Sequence, residues 1–109
     1  MSSYVIAWAW AFAFTQTVEI PVYRRLLGCG IGRAFGASAL THPLIWWSFP
    51  HQSLPYFVAV TIAELFAWLG EAVYFARPYG MRRALLASLI ANGASFVLGM
   101  VSRKLFGFP

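Results

Sequence analysis

"AWAWAFAF", residues 7–14, alternates small and large side chains with a period of two. That period is the pattern of a half-buried strand. One such segment cannot build a membrane barrel, which needs many alternating strands. The segments beside it are continuous apolar runs. On a helix, residues four apart stack on one face. Trp8 then lies over Phe12 and Trp10 over Phe14, while Ala7 lies over Ala11 and Ala9 over Ala13. The alternation becomes two aromatic ridges and two small ones. Small ridges let helix backbones approach closely within lipid. The stretch is therefore expected to be a packing surface on a first helix.

The rest of the chain agrees. Its 109 residues make one domain, 1–109, with 61% hydrophobic and 10% charged residues. Soluble domains carry roughly 25% charged and about 45–50% apolar residues. A chain this short could not hide so much apolar surface from water, so its natural solvent is lipid. Runs of about 20 apolar residues cross a bilayer as helices. Four are expected, over residues 4–23, 31–49, 56–76 and 84–102. The fold class is an all-α integral membrane protein, four transmembrane helices in two hairpins. Pro43 frees the carbonyl of Ala39, so helix two should kink there, with Thr41 helping to satisfy that carbonyl. The N-terminal "MSSYVIAWAW" has no basic n-region, so the first segment is expected to remain as structure.

Charge is distributed by sign. The three acidic residues, Glu19, Glu64 and Glu71, lie within or at the end of the apolar runs. The basic residues lie between or after them: Arg24, Arg25 and Arg33 around loop one, Arg77, Arg82 and Arg83 around loop three, then Arg103 and Lys104. The net charge of +5 thus reads as topology signals and lipid-headgroup contacts rather than nucleic-acid binding. Positive-inside places loops one and three in the cytoplasm and both termini outside, in a cytoplasmic (inner) membrane. Tyr4, Trp8, Trp46, Trp47 and Tyr56 should mark the outer interface; Tyr23, Tyr74 and Tyr79 the inner one. Cys29 is the only cysteine, which excludes an internal disulfide.

Each helix offers a polar group near mid-membrane: Thr15 and Gln16, His42, Glu64, and Asn92. Glu64 and Glu71 are two turns apart, so one face of helix three carries two carboxylates about 10 Å apart along its axis. An ionisable group at mid-membrane costs at least a few kcal/mol and is paired, neutralised or close to water. Glu19 and Glu71, nearer the inner side, are expected to pair with arginines there. Ala87, Ala91, Ser95 and Gly99 form a small stripe on helix four, and Gly32 and Gly36 a GxxxG on helix two, both read as helix-packing surfaces. His42, Glu64 and Glu71 have the chemistry of metal ligands but no diagnostic spacing. His42 alone can ligate a haem or chlorin, so the cofactor stays unknown.

Three functions fit. The first is a small polytopic subunit packing within a larger membrane complex, with other membrane subunits and lipids as partners and a buried proton-handling carboxylate. The second is a homo-oligomeric proton- or cation-coupled transporter. Four helices in this length resemble the layout of small multidrug transporters, in layout alone: their membrane glutamate lies in the first helix, and the deepest one here is Glu64 in the third. The third is an intramembrane metal- or pigment-binding protein. Enzyme chemistry has no motif: there is no aspartate for a Ser-His-Asp set, and the glycines of "GCGIGRAFG" follow no strand.

Overall fold

The computed structural model describes residues 3–48 and 55–107. All regular structure there is helical: α1 (Ser3–Leu27), α2 (Ile31–Ser48), α3 (Tyr56–Tyr79) and α4 (Met81–Phe106). The opening alternation belongs to α1, and Trp8 stacks on Phe12 with ring centroids 5.5 Å apart. Three helices (α1, α3 and α4) contain stretches long and apolar enough to cross a membrane, Val5–Leu27, Val58–Tyr79 and Met81–Phe106. The helical segments overrun the expected 4–23, 56–76 and 84–102 at the loop-one and loop-three ends, because the arginines there sit on helical turns rather than in loops. Residues 49–54 of the α2–α3 connection lie outside the described residues, as do the side chains of Tyr4 and Tyr56.

Two turns fix the layout. Gly28 and Gly80 adopt φ of 69° and 87°, a region that L side chains avoid and glycine enters freely. Gly80 is the sole residue between α3 and α4; its N–H donates to the carbonyl of Ala76 (2.7 Å) and its carbonyl accepts from Ala84 (2.9 Å). Both turns lie at one end of the bundle. Arg83 donates to the carbonyl of Leu26 (3.0 Å), tying the start of α4 to the end of α1.

The helices pack as a ring, α1 against α2, α2 against α3, α3 against α4, and α4 back against α1. The hairpin of α3 and α4 is clamped by two crossed bonds: Trp68 Nε1 donates to the Leu85 carbonyl (2.9 Å), and the Ser88 hydroxyl donates to the Trp68 carbonyl (2.8 Å). The interior is inverted relative to a soluble domain. Its buried apolar residues are mostly alanines (Ala34, Ala37, Ala67, Ala72, Ala84, Ala87 and Ala91), and Gln16, Glu19, Ser38, Thr41, Glu71, Ser88 and Asn92 are buried among them. Large apolar side chains such as Leu40, Leu65, Val73, Ile90 and Val97 face outward. Water penalises such a surface and lipid does not.

The expected packing ridges are realised in part. Ala87 and Ala91 are buried, and Gly99 approaches Phe14 of α1, so the stripe on α4 does face a neighbour. Ala9 and Ala13 are exposed instead, and Ala7 and Ala11 line a cavity rather than a close helix contact. On α2, Gly36 makes room for the Tyr74 hydroxyl, which donates to the Arg33 carbonyl (3.0 Å), but Gly32 faces open space. The buried face of α2 is Ala34, Ala37, Ser38 and Thr41. Gly32 is two residues from Ala34, about 200° around the helix, and so points away. Tyr23, expected at the inner interface, is fully buried; it sits four residues after Glu19, on the same inward face.

Candidate functional site

Glu19 and Glu71 lie at matching depth, each eight residues before its helix ends at Leu27 or Tyr79. Both are about 1% exposed, and both line the same interior cavity. No cation is hydrogen-bonded to either among the described residues, so burial favours at most one negative charge on the two carboxyls.

Five donors from α1, α2 and α4 surround the pair. Tyr23 Oη and Asn92 Nδ2 donate to Glu71 Oε1 at 2.5 and 3.3 Å, and Thr41 Oγ1 donates to Glu71 Oε2 at 2.7 Å. Ser38 Oγ donates to Glu19 Oε1 at 2.7 Å, and Ser95 Oγ to Glu19 Oε2 at 2.6 Å. Asn92 is itself held by the Ser88 carbonyl (2.9 Å) and hydroxyl (3.1 Å). The approach of α2 to α3 depends on Gly70, where an added Cβ would meet Thr41 Cγ2 at 3.2 Å. Three donors serve Glu71 and two serve Glu19, so the negative charge is better compensated on Glu71.

This overturns the expected pairing with arginines. Arg24 and Arg25 are exposed, five and six residues beyond Glu19 and therefore on other faces of α1. Thr41 is also redirected: its short bond goes to Glu71, with a longer one (3.4 Å) to the Ala37 carbonyl rather than to that of Ala39.

Above the pair, toward the end away from loops one and three, lies a cavity of about 860 Å³. All three acidic residues of the chain line it, together with His42, Asn92, and the aromatic rings of Trp10, Phe14, Trp46 and Phe96. Arg103 lies on its wall near the end of α4. Glu64 is half-buried and makes no hydrogen bond among the described residues. His42 Nε2 lies 3.3 Å from the Thr15 hydroxyl, while the buried Nδ1 has no hydrogen-bond partner among the described residues. Its ring sits between Phe12 and Trp46, with centroids at 5.4 and 6.2 Å. Gln16 does not join the cavity; its amide donates to the Phe35 carbonyl (3.1 Å). Among the described residues no three His, Cys, Asp or Glu side chains are grouped to hold a metal ion, so His42, Glu64 and Glu71 do not form a ligand set.

Below the pair the bundle is filled. Tyr23, Leu27, Ala34, Ala37, Ala72, Phe75, Ala84 and Ala87 close the loop-one and loop-three half. Tyr23 packs on Phe75 with centroids 4.5 Å apart, and Phe75 on Tyr79 at 6.0 Å. Arg83 covers the Tyr79 ring at 5.8 Å. Cys29 is buried in the same cluster, 6% exposed. Burial pushes its thiol above the ordinary cysteine range, with Arg33 and Arg24 pulling the other way.

Compared with known proteins, the chain matches no family model, no curated relative and no solved structure. The residues themselves carry the functional argument. Sequence reasoning named Glu19, Glu71 and Asn92 as buried polar groups, with His42 and Glu64, but set Asn92 at mid-membrane and the two glutamates nearer the inner side. It missed Tyr23, Ser38 and Ser88 as partners of this cluster, and placed Ser95 only as a packing residue. The signal for them was present: Tyr23 follows Glu19 by four, and Ser88, Asn92 and Ser95 are spaced by four and three.

Proposed function

We propose that this chain is a proton-linked membrane transporter of small organic cations. All four helices span a cytoplasmic membrane as two hairpins, α2 bent at Pro43, with loops one and three inside and both termini outside. The observation that carries this reading is that every acidic side chain of the chain lines one cavity, open in one half of the bundle and filled in the other. Glu64 is the ligand contact, because its carboxyl has no hydrogen-bond partner among the described residues. The aromatic walls favour a cation with an apolar body, through cation–π contacts. The Glu19–Glu71 pair stores the exchangeable proton. The site is complete within one chain, and self-association would stack such sites side by side.

The test is proton release on addition of tetraphenylphosphonium to the purified, lightly buffered protein, followed by counterflow in proteoliposomes. The expected result is saturable release that Glu71→Gln abolishes. Absence of cation-dependent proton movement in the wild-type protein would overturn the reading.

A packing subunit of a larger membrane complex is the second reading. It is favoured by how few described residues lie between the helices: 28–30, Pro55 and Gly80. Native mass spectrometry after gentle extraction separates the two. A fixed ratio with other chains supports the subunit, and copies of this chain alone support the transporter.

A further inference from the structure

The chain carries eight basic residues and three acidic ones, and the acidic ones are spent inside. Glu19 and Glu71 serve five interior donors, and Glu64 faces the cavity. No carboxylate is left for the arginines at the loop-one and loop-three end. Those charges take their counterions from outside the chain.

At that end Arg33 on α2 and Arg77 on α3 line one recess of about 410 Å³, completed by Tyr74 and Pro78. Neither guanidinium makes a hydrogen bond or ion pair among the described residues. The Tyr74 hydroxyl is committed to the Arg33 carbonyl (3.0 Å), which fixes the floor of the recess and holds α2 against α3. Gly36 permits this, since any side chain there would occupy the place of that hydroxyl. Exposed Phe35 and Val73, on the same two helices, carry apolar surface away from the recess.

We propose that this recess is a binding site for the phosphodiester headgroup of an anionic phospholipid. Two guanidiniums on a preformed floor match a phosphate, which each can hold by a fork of two N–H groups. The adjoining apolar helix surface takes the acyl chains. A basic pocket between helices at the membrane edge is the setting in which anionic headgroups bind. Arg24, Arg25, Arg82 and Arg83 occupy the same end and raise the local potential, but they do not line the recess. The site is independent of the transport reading, since it shares no residue with the cavity.

The experiment is native mass spectrometry of the full chain in detergent, titrated with phosphatidylglycerol or phosphatidylcholine of identical acyl chains. Phosphatidylglycerol is expected to bind at one preferred site. Its affinity should fall about 30-fold in the Arg33→Gln, Arg77→Gln double variant, from two lost surface cations, and much less in the equally charged control Arg24→Gln, Arg25→Gln. Equal affinity for the two lipids overturns the proposal, and so does an equal loss in the control. Displacement of the lipid by millimolar inorganic phosphate would assign the recess to the free ion instead. The comparison of lipids and the phosphate competition need no variant, so they stand even if the double variant fails to fold.

Discussion

Tyr23→Phe removes one oxygen and leaves the ring. The packing on Phe75 at 4.5 Å is kept, so no large cavity opens. What is lost is the 2.5 Å bond from Oη to Glu71 Oε1, leaving that oxygen with Asn92 at 3.3 Å. Interhelical hydrogen bonds between neutral groups in membrane proteins average about 0.6 kcal/mol. Bonds to charged groups contribute roughly 1.5–3 kcal/mol, and short O–H···O⁻ bonds are the stronger kind. With the pair's charge on Glu71, the expected loss is about 2 kcal/mol, some 30-fold in the folding equilibrium. The assay is reversible unfolding in mixed micelles with increasing dodecyl sulfate, followed by helix circular dichroism. Tyr74→Phe is the control: its hydroxyl meets a backbone carbonyl at an exposed position, and its loss should cost under about 1 kcal/mol. A Tyr23→Phe cost no greater than the control would refute the charge-assisted bond, and with it the placement of the charge on Glu71.

Three further outcomes are expected. Gly36→Ala forces a Cβ into the Tyr74 hydroxyl and should cost about 1–3 kcal/mol, whereas Gly32→Ala enters open space on a helix and should gain up to about 1 kcal/mol; the same unfolding assay reads both. Glu64→Gln breaks no hydrogen bond among the described residues, so stability should change by less than about 0.5 kcal/mol, while cation-induced proton release is lost; a large destabilisation would make Glu64 structural. Cys29 has its thiol raised by burial, so less thiolate is present at any given pH. Maleimide labelling should be slower than for a free thiol at pH 7.5 and should rise with pH to a higher midpoint, and faster labelling in Tyr23→Phe would report loosening of the closed half.

The division between what is legible in a chain and what is not follows the range of the interactions. Helical class, the number of helices and the positions of the turns depend on runs of neighbouring residues. Hydropathy over about 20 residues and glycines at the turns therefore sufficed for α1, α3 and α4. For α2, which carries Arg33, Ser38, Thr41, His42 and Pro43, apolar length alone is a weaker guide. Depth is also local, since it is counted along one helix, so Glu19 and Glu71 could be set at one level on the inner side, while Asn92, counted at mid-membrane, reaches Glu71 through its side chain. Rotation about the helix axis is not. The arginine partners expected for Glu19 and Glu71 were near in sequence but on the wrong faces, and Tyr23 was assigned to an interface that its rotation denies it. Ala9 and Ala13 match the stripe on α4 in size yet face outward, because a small-residue pattern names a surface able to pack without naming its neighbour. The sequence by itself determined an inverted helical protein with its acids inside and its bases at the ends. Only the tertiary structure decided that two carboxyls from α1 and α3 are buried side by side in one cluster, and that five donors from α1, α2 and α4 hold them, because each helix must be turned to a single angle before those groups can meet.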